Sequence, residues 1–144
     1  MKSINVLNRK ILFADTCLLA LRLATATLLF YKHGYEKVFS FQEMLSHFPD
    51  PLGIGKLPGL IYATITDACC ALLLAAGLFN RVATSLLLIN LLVAFIGVHK
   101  GVINDHGEAI LLYMINLVFL FFAGPGKISL DHFWRGRTAS GLKI

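Results

Sequence analysis

The chain has 144 residues, 57% of them hydrophobic and 15% charged, with a net charge of +5 and a mean hydropathy of +0.74. A soluble domain carries about a quarter charged residues, so a water-covered surface is excluded for most of this chain. The cations are scattered instead of gathered on a soluble module, which argues against a nucleic-acid partner.

The apolar residues fall into four blocks, at 13–31, 58–79, 82–98 and 108–123. A helix needs about 20 residues to cross about 30 Å of hydrocarbon, so each block is predicted to span a bilayer. Lys2, Arg9 and Lys10 before the first block imitate an export signal. That block contains Arg22 and lacks a small-residue cleavage site after it, so it reads as a retained span. It ends at Tyr31-Lys32-His33-Gly34, where the glycine is expected to let the backbone turn.

In the following loop Phe41, Met44, Leu45 and Phe48 fall at i, i+3, i+4 and i+7, predicting a short amphipathic helix stopped by Pro49-Asp50-Pro51. Its expected place is flat on the outer interface or folded over the mouth of the bundle. Pro58 suits the first turn of the second span, and Gly77-Leu78-Phe79-Asn80-Arg81 predicts a tight turn into the third. The third span ends at Val98-His99-Lys100-Gly101, and a loop with Asn104, Asp105 and His106 leads to Glu108 and the fourth. After Gly124-Pro125-Gly126, Ser129 is expected to cap a short C-terminal amphipathic helix bearing Phe133 and Trp134, followed by Arg135 and Arg137. The predicted fold is all-α: a single-domain four-helix transmembrane bundle over residues 1–144, with one short interfacial helix in its first loop.

Basic residues set the expected orientation. With the amino terminus inside, Lys2, Arg9, Lys10, Arg81, Lys127, Arg135, Arg137 and Lys143 share the inner side, against Lys32, Lys37, Lys56 and Lys100 outside. This matches the positive-inside rule in a cytoplasmic membrane with both termini inside, the basic rim meeting anionic headgroups of the lipid bilayer.

Each span carries a strongly polar residue: Arg22, Asp67, Asn90 and Asn116. Arg or Asp at a bilayer centre costs roughly 2.5–3.5 kcal/mol on insertion scales, so these are expected to face inward as one polar layer. Counted from the inner ends their depths differ by less than about 8 Å at 1.5 Å per residue. That spacing predicts an Arg22–Asp67 ion pair completed by Asn90 and Asn116. Such a layer serves equally to lock helix registry or to form a substrate or proton site. His33, Lys37, His99 and Glu108 map to the outer end as proton or ligand candidates. Their spacing matches no metal signature, so no metal is expected. Cys17, Cys69 and Cys70 lie inside spans without a Cys-x-x-Cys pattern and read as packing residues.

His33-Gly34-Tyr35-Glu36-Lys37, Asp67 with Leu72-Leu73-Leu74, Gly77-Leu78-Phe79-Asn80-Arg81, His99, Gly107-Glu108 and Gly124-Pro125-Gly126-Lys127-Ile128-Ser129-Leu130-Asp131 together resemble the DoxX family of small four-span membrane proteins. The resemblance covers nearly the whole chain, with one departure: Asp67 stands where the family usually carries glutamate. It implies a bacterial or archaeal cytoplasmic-membrane protein. It further implies a link to quinone-coupled sulfur oxidation, as a thiosulfate:quinone oxidoreductase subunit, or to complexes handling oxidative and thiol stress. Three functions stay open on this reading. One is a membrane subunit of a redox system with quinone as cofactor and a soluble oxidoreductase partner. Another is a small-solute permease, expected to be a homo-oligomer. The third is a scaffold that recruits soluble proteins.

Overall fold

The computed structural model describes residues 2–103 and 105–134, and every regular element among them is helical. Helix α1 runs through Lys2–Leu29, a π-helical segment Phe30–Gly34 and a final turn Tyr35–Phe39. A short α2 follows at Phe41–His47. Helix α3 joins Lys56–Thr64, a second π segment Ile65–Cys70 and Ala71–Ala76. Helix α4 joins Asn80–Val93 to a third π segment, Ala94–Val98, and α5 covers Asp105–Ala123.

Three stretches are long and apolar enough to cross a membrane, Ile11–Phe39, Lys56–Ala76 and Asn80–Val98, joined by a shorter apolar helix at Gly107–Ala123. Each of α1 and α4 packs against both α3 and α5, closing a four-membered bundle. Leu29, Leu74, Leu87, Leu117 and Leu120 fill its centre, and Ala26, Ala63, Ala71 and Ala83 let the backbones approach closely. Large apolar side chains such as Phe13, Leu72, Ile96, Ile115 and Phe122 point outward. In water that surface would drive aggregation; in lipid it is the stable outside, and the polar groups turn in.

One end of the first span departs from expectation. The chain does not turn at Gly34, which keeps right-handed helical geometry and lets α1 continue to Phe39. The glycine is needed for proximity instead. A Cβ there would lie 2.6 Å from the Asp67 carbonyl oxygen, so its absence brings α1 and α3 into backbone contact. The short helix in the first loop forms as expected, with Phe41, Met44, Leu45 and Phe48 half-buried.

Between α3 and α4, Gly77 adopts φ +67°, Leu78 N–H donates to Leu73 O, and Gly77 N–H donates to Leu74 O. This is a Schellman stop. After Ala123, Ser129 Oγ accepts from His132 N–H and caps a helical turn at 130–134. Arg135, Arg137 and Lys143 lie outside the described residues.

Candidate functional site

The polar residues do not form one layer. Arg22 belongs to one polar cluster and Asp67 with Asn90 to another, at opposite ends of the bundle. Arg22, 2% exposed, donates through Nε to Ala75 O at 3.3 Å, through Nη2 to Ile128 O at 3.0 Å, and through Nη1 to Pro125 O. The expected ion pair fails because the segment after α5 folds back across α1 and α3 and offers the guanidinium three backbone carbonyls. Arginine's planar fork satisfies three acceptors at once. Gly77 makes room for it, since a Cβ there would meet Arg22 Nη1 at 2.6 Å.

The same cluster uses acidic residues that sequence reasoning did not single out. Buried Asp15 accepts from Lys127 N–H at 3.0 Å. Asp131 accepts from Phe79 N–H at 3.1 Å and Asn80 N–H at 3.2 Å, capping the start of α4. Those bonds hold Phe79 at φ +48°, a left-handed conformation that a bulky residue keeps only when its surroundings impose it. Thus the Gly77–Arg81 turn and the Gly124–Asp131 string form one interlocked unit.

The second cluster sits at the other end, beneath the loop that carries α2. Lys37 Nζ lies 2.8 Å from Asp67 Oδ2, with side-chain exposures of 13% and 4%. Asn90 Nδ2 donates to the other carboxylate oxygen at 2.8 Å, and Lys37 Nζ also donates to His33 O at 2.8 Å. Lys37 reaches Asp67 because α1 continues past Gly34: on an unbroken helix His33 and Lys37 are i, i+4 neighbours on one face. Had the chain turned at the glycine, Lys37 would stand in the loop.

These groups form the base of a cavity of about 190 Å³. Its walls are largely apolar: Tyr62 and Ala63 from α3, Leu91, Val93, Ala94 and Val98 from α4, and Ile110 from α5. Phe48, Pro49, Pro51, Leu52 and Ile54 of the first loop close another side, and His33 and His99 reach the lining. The loop is tied by its own carboxylate, Asp50, which accepts from Ile54 N–H at 3.1 Å and Gly55 N–H at 2.9 Å.

All three π segments reach this cavity, contributing His33, Asp67, and Ala94 with Val98. A π turn adds a residue to the helix and rotates everything beyond it, and such turns frequently occur at functional sites. Chemically, the cavity offers a charge-balanced ammonium–carboxylate pair, an amide, two imidazoles and a phenol under an apolar roof. Its volume admits about one ring, since an engineered cavity of about 150 Å³ takes up benzene.

Two expected members are elsewhere. Glu108 is exposed and does not line the cavity. Asn116 is half-buried on α5 and, among the described residues, shares no hydrogen bond with either cluster. Among the described residues no cluster of metal-ligating side chains occurs, and Cys17, Cys69 and Cys70 are free thiols.

The family model described as DoxX matches residues 17–100, more than half of the chain. That segment carries Arg22, Lys37, Asp67, Asn90 and every cavity-lining residue except Ile110. No curated protein and no solved structure matches the chain.

Proposed function

The chain belongs to the DoxX family and is a multi-pass membrane protein, and from that premise we propose that it acts as the membrane subunit of a redox system whose quinone-binding site is the cavity over Asp67. The observation carrying this reading is the ring-sized apolar space closed at its base by the Lys37–Asp67–Asn90 cluster. A quinone brings a flat ring with carbonyl acceptors, and its reduction takes up protons. Lys37 and Asn90 supply N–H donors, while Asp67 and the imidazoles of His33 and His99 can hold a proton beside the ring. The family resemblance supports a soluble oxidoreductase as partner. The basic-residue asymmetry supports an orientation with both termini on the cytoplasmic side and the cavity near the outer face.

The test is titration of a short-chain quinone into protein reconstituted in nanodiscs, beside the Asp67→Asn/Lys37→Met double variant, which removes both charges together. Saturable binding by the native protein and its loss in the variant are expected. Absence of saturable binding, together with an unchanged membrane quinone redox state on deletion of the gene, would reject the proposal.

A permease reading is favoured by one observation, the three π-helical segments that line the cavity over the buried ion pair. Irregular backbone within a membrane is tolerated where it lines a cavity, as at transporter sites. Solute uptake into proteoliposomes that is abolished by Asp67→Asn, without any redox phenotype, would select it.

A further inference from the structure

The segments that fold back over the two ends of the bundle are held in different ways. The 124–131 string is fastened by hydrogen bonds to the helices. Arg22 donates to the carbonyls of Pro125 and Ile128, Asp15 accepts from Lys127 N–H, and Asp131 N–H donates to Gly77 O at 3.1 Å. The loop that walls the cavity over Asp67 is fastened to itself. Its Asp50 carboxylate accepts from Ile54 and Gly55 N–H, and Asp50 O accepts from Gly53 N–H at 3.4 Å. Among the described residues, no hydrogen bond runs from residues 49–54 to α3, α4 or α5. Lys56 Nζ donates to Ser46 O at 2.9 Å and ties the two stems of the loop together.

The loop meets the helices through apolar groups, at two glycines. Phe48 rests on α3, where a Cβ on Gly59 would lie 3.4 Å from its ring. Pro51 sits so closely on α4 that a Cβ on Gly97 would lie 2.4 Å from the proline Cβ. Both side chains line the cavity. Leu52 and Ile54 line it too and are 59% and 55% exposed, so the tip is greasy enough to be solvated by lipid. A segment that keeps its hydrogen bonds to itself lifts as a unit without leaving a backbone group unpaired.

We infer that residues 49–55 are a lid on the cavity, pivoting beside Phe48 and latched where Pro51 sits on Gly97, and that it lifts to admit a ring-sized apolar molecule. Gly55, at φ +97° and ψ 146°, forms the second pivot, in a conformation that glycine alone holds easily. The lid serves the cavity whatever fills it, so it does not rest on the quinone reading.

The test uses N-ethylmaleimide, a neutral five-membered ring that reacts with thiols, on the full chain in nanodiscs. Ala63 is on the cavity wall and 6% exposed, so Ala63→Cys, with Cys17, Cys69 and Cys70 changed to Ala, reports how often the ring enters. Slow modification is expected in this background. A minor open state is commonly populated at about 0.1–10%, so Gly97→Ala, which forces Pro51 off its seat, should speed modification about tenfold or more. Pro51→Gly removes the latch from the loop side and should act in the same direction, as should either change with Val93→Cys as the reporter on α4. Leu72→Cys, at a position 57% exposed on α3, should react at one rate with and without these changes. Unchanged modification at Ala63→Cys and Val93→Cys in both latch variants would overturn the lid. So would Ala63→Cys reacting as fast as Leu72→Cys while the latch is intact.

Discussion

Removing one charge of the Lys37–Asp67 pair is the sharpest test of the reasoning about the site. The groups lie 2.8 Å apart with little exposure, and unit charges at that distance attract by about 6 kcal/mol at an effective dielectric near 20. Desolvation of both ions offsets most of this, so the intact pair adds little net stability. Deleting one partner is a different matter, because it strands the other charge in an apolar cavity. Asp67→Asn keeps the shape and the contact with Asn90, yet it leaves the Lys37 ammonium without a counter-charge. The expected loss is about 3–5 kcal/mol, with a similar loss for Lys37→Met. The double variant buries no charge and should return to within about 1–2 kcal/mol of the native protein, giving a coupling energy of at least about 2 kcal/mol. Reversible unfolding in mixed micelles with increasing anionic detergent measures all four corners of the cycle. Single variants within about 0.5 kcal/mol of the native protein would refute the argument, and so would strictly additive losses. Either result would mean that water reaches the pair and screens it.

Three further outcomes follow from the same geometry. Gly34→Ala places a Cβ 2.6 Å from the Asp67 carbonyl oxygen and 3.2 Å from Ala68 Cα, both backbone atoms; separating α1 from α3 should cost about 1–3 kcal/mol in the same unfolding assay. Arg22→Met leaves the carbonyls of residues 75, 125 and 128 without their donor, and the expected loss of about 2–4 kcal/mol should come with faster proteolysis of the 124–129 segment, whereas native protease resistance would contradict the role of Arg22 as its anchor. Asp131→Ala removes the cap from Phe79 and Asn80 N–H, costing about 1–2 kcal/mol; hydrogen exchange at those two amides should quicken while exchange in mid-α4 stays slow.

The DoxX resemblance was legible in motifs, and the matching family model bears it out. The helical membrane bundle was legible in block lengths and hydropathy, because a segment that must satisfy its backbone in hydrocarbon has few alternatives to a helix. The ends of α3 were equally plain: Pro58 lies in its first turn, and Gly77 closes it in the left-handed conformation. Gly34 misled, because glycine serves both turns and close helix crossings, and only the neighbour decides which. Depth counting misled for Arg22, since it took α1 to start and stop with its apolar block. In the structure α1 extends to Phe39, and a returning segment caps the arginine from outside the spans.

By itself the amino-acid order determined a helical membrane bundle, and that Arg22, Asp67, Asn90 and Asn116 would be too costly to leave facing lipid. Tertiary structure alone decided which polar group meets which. Partner choice depends on a few ångströms of helix offset and on the rotation introduced by each π segment. Inserting one residue into a helical turn leaves hydropathy unchanged and redirects every side chain beyond it.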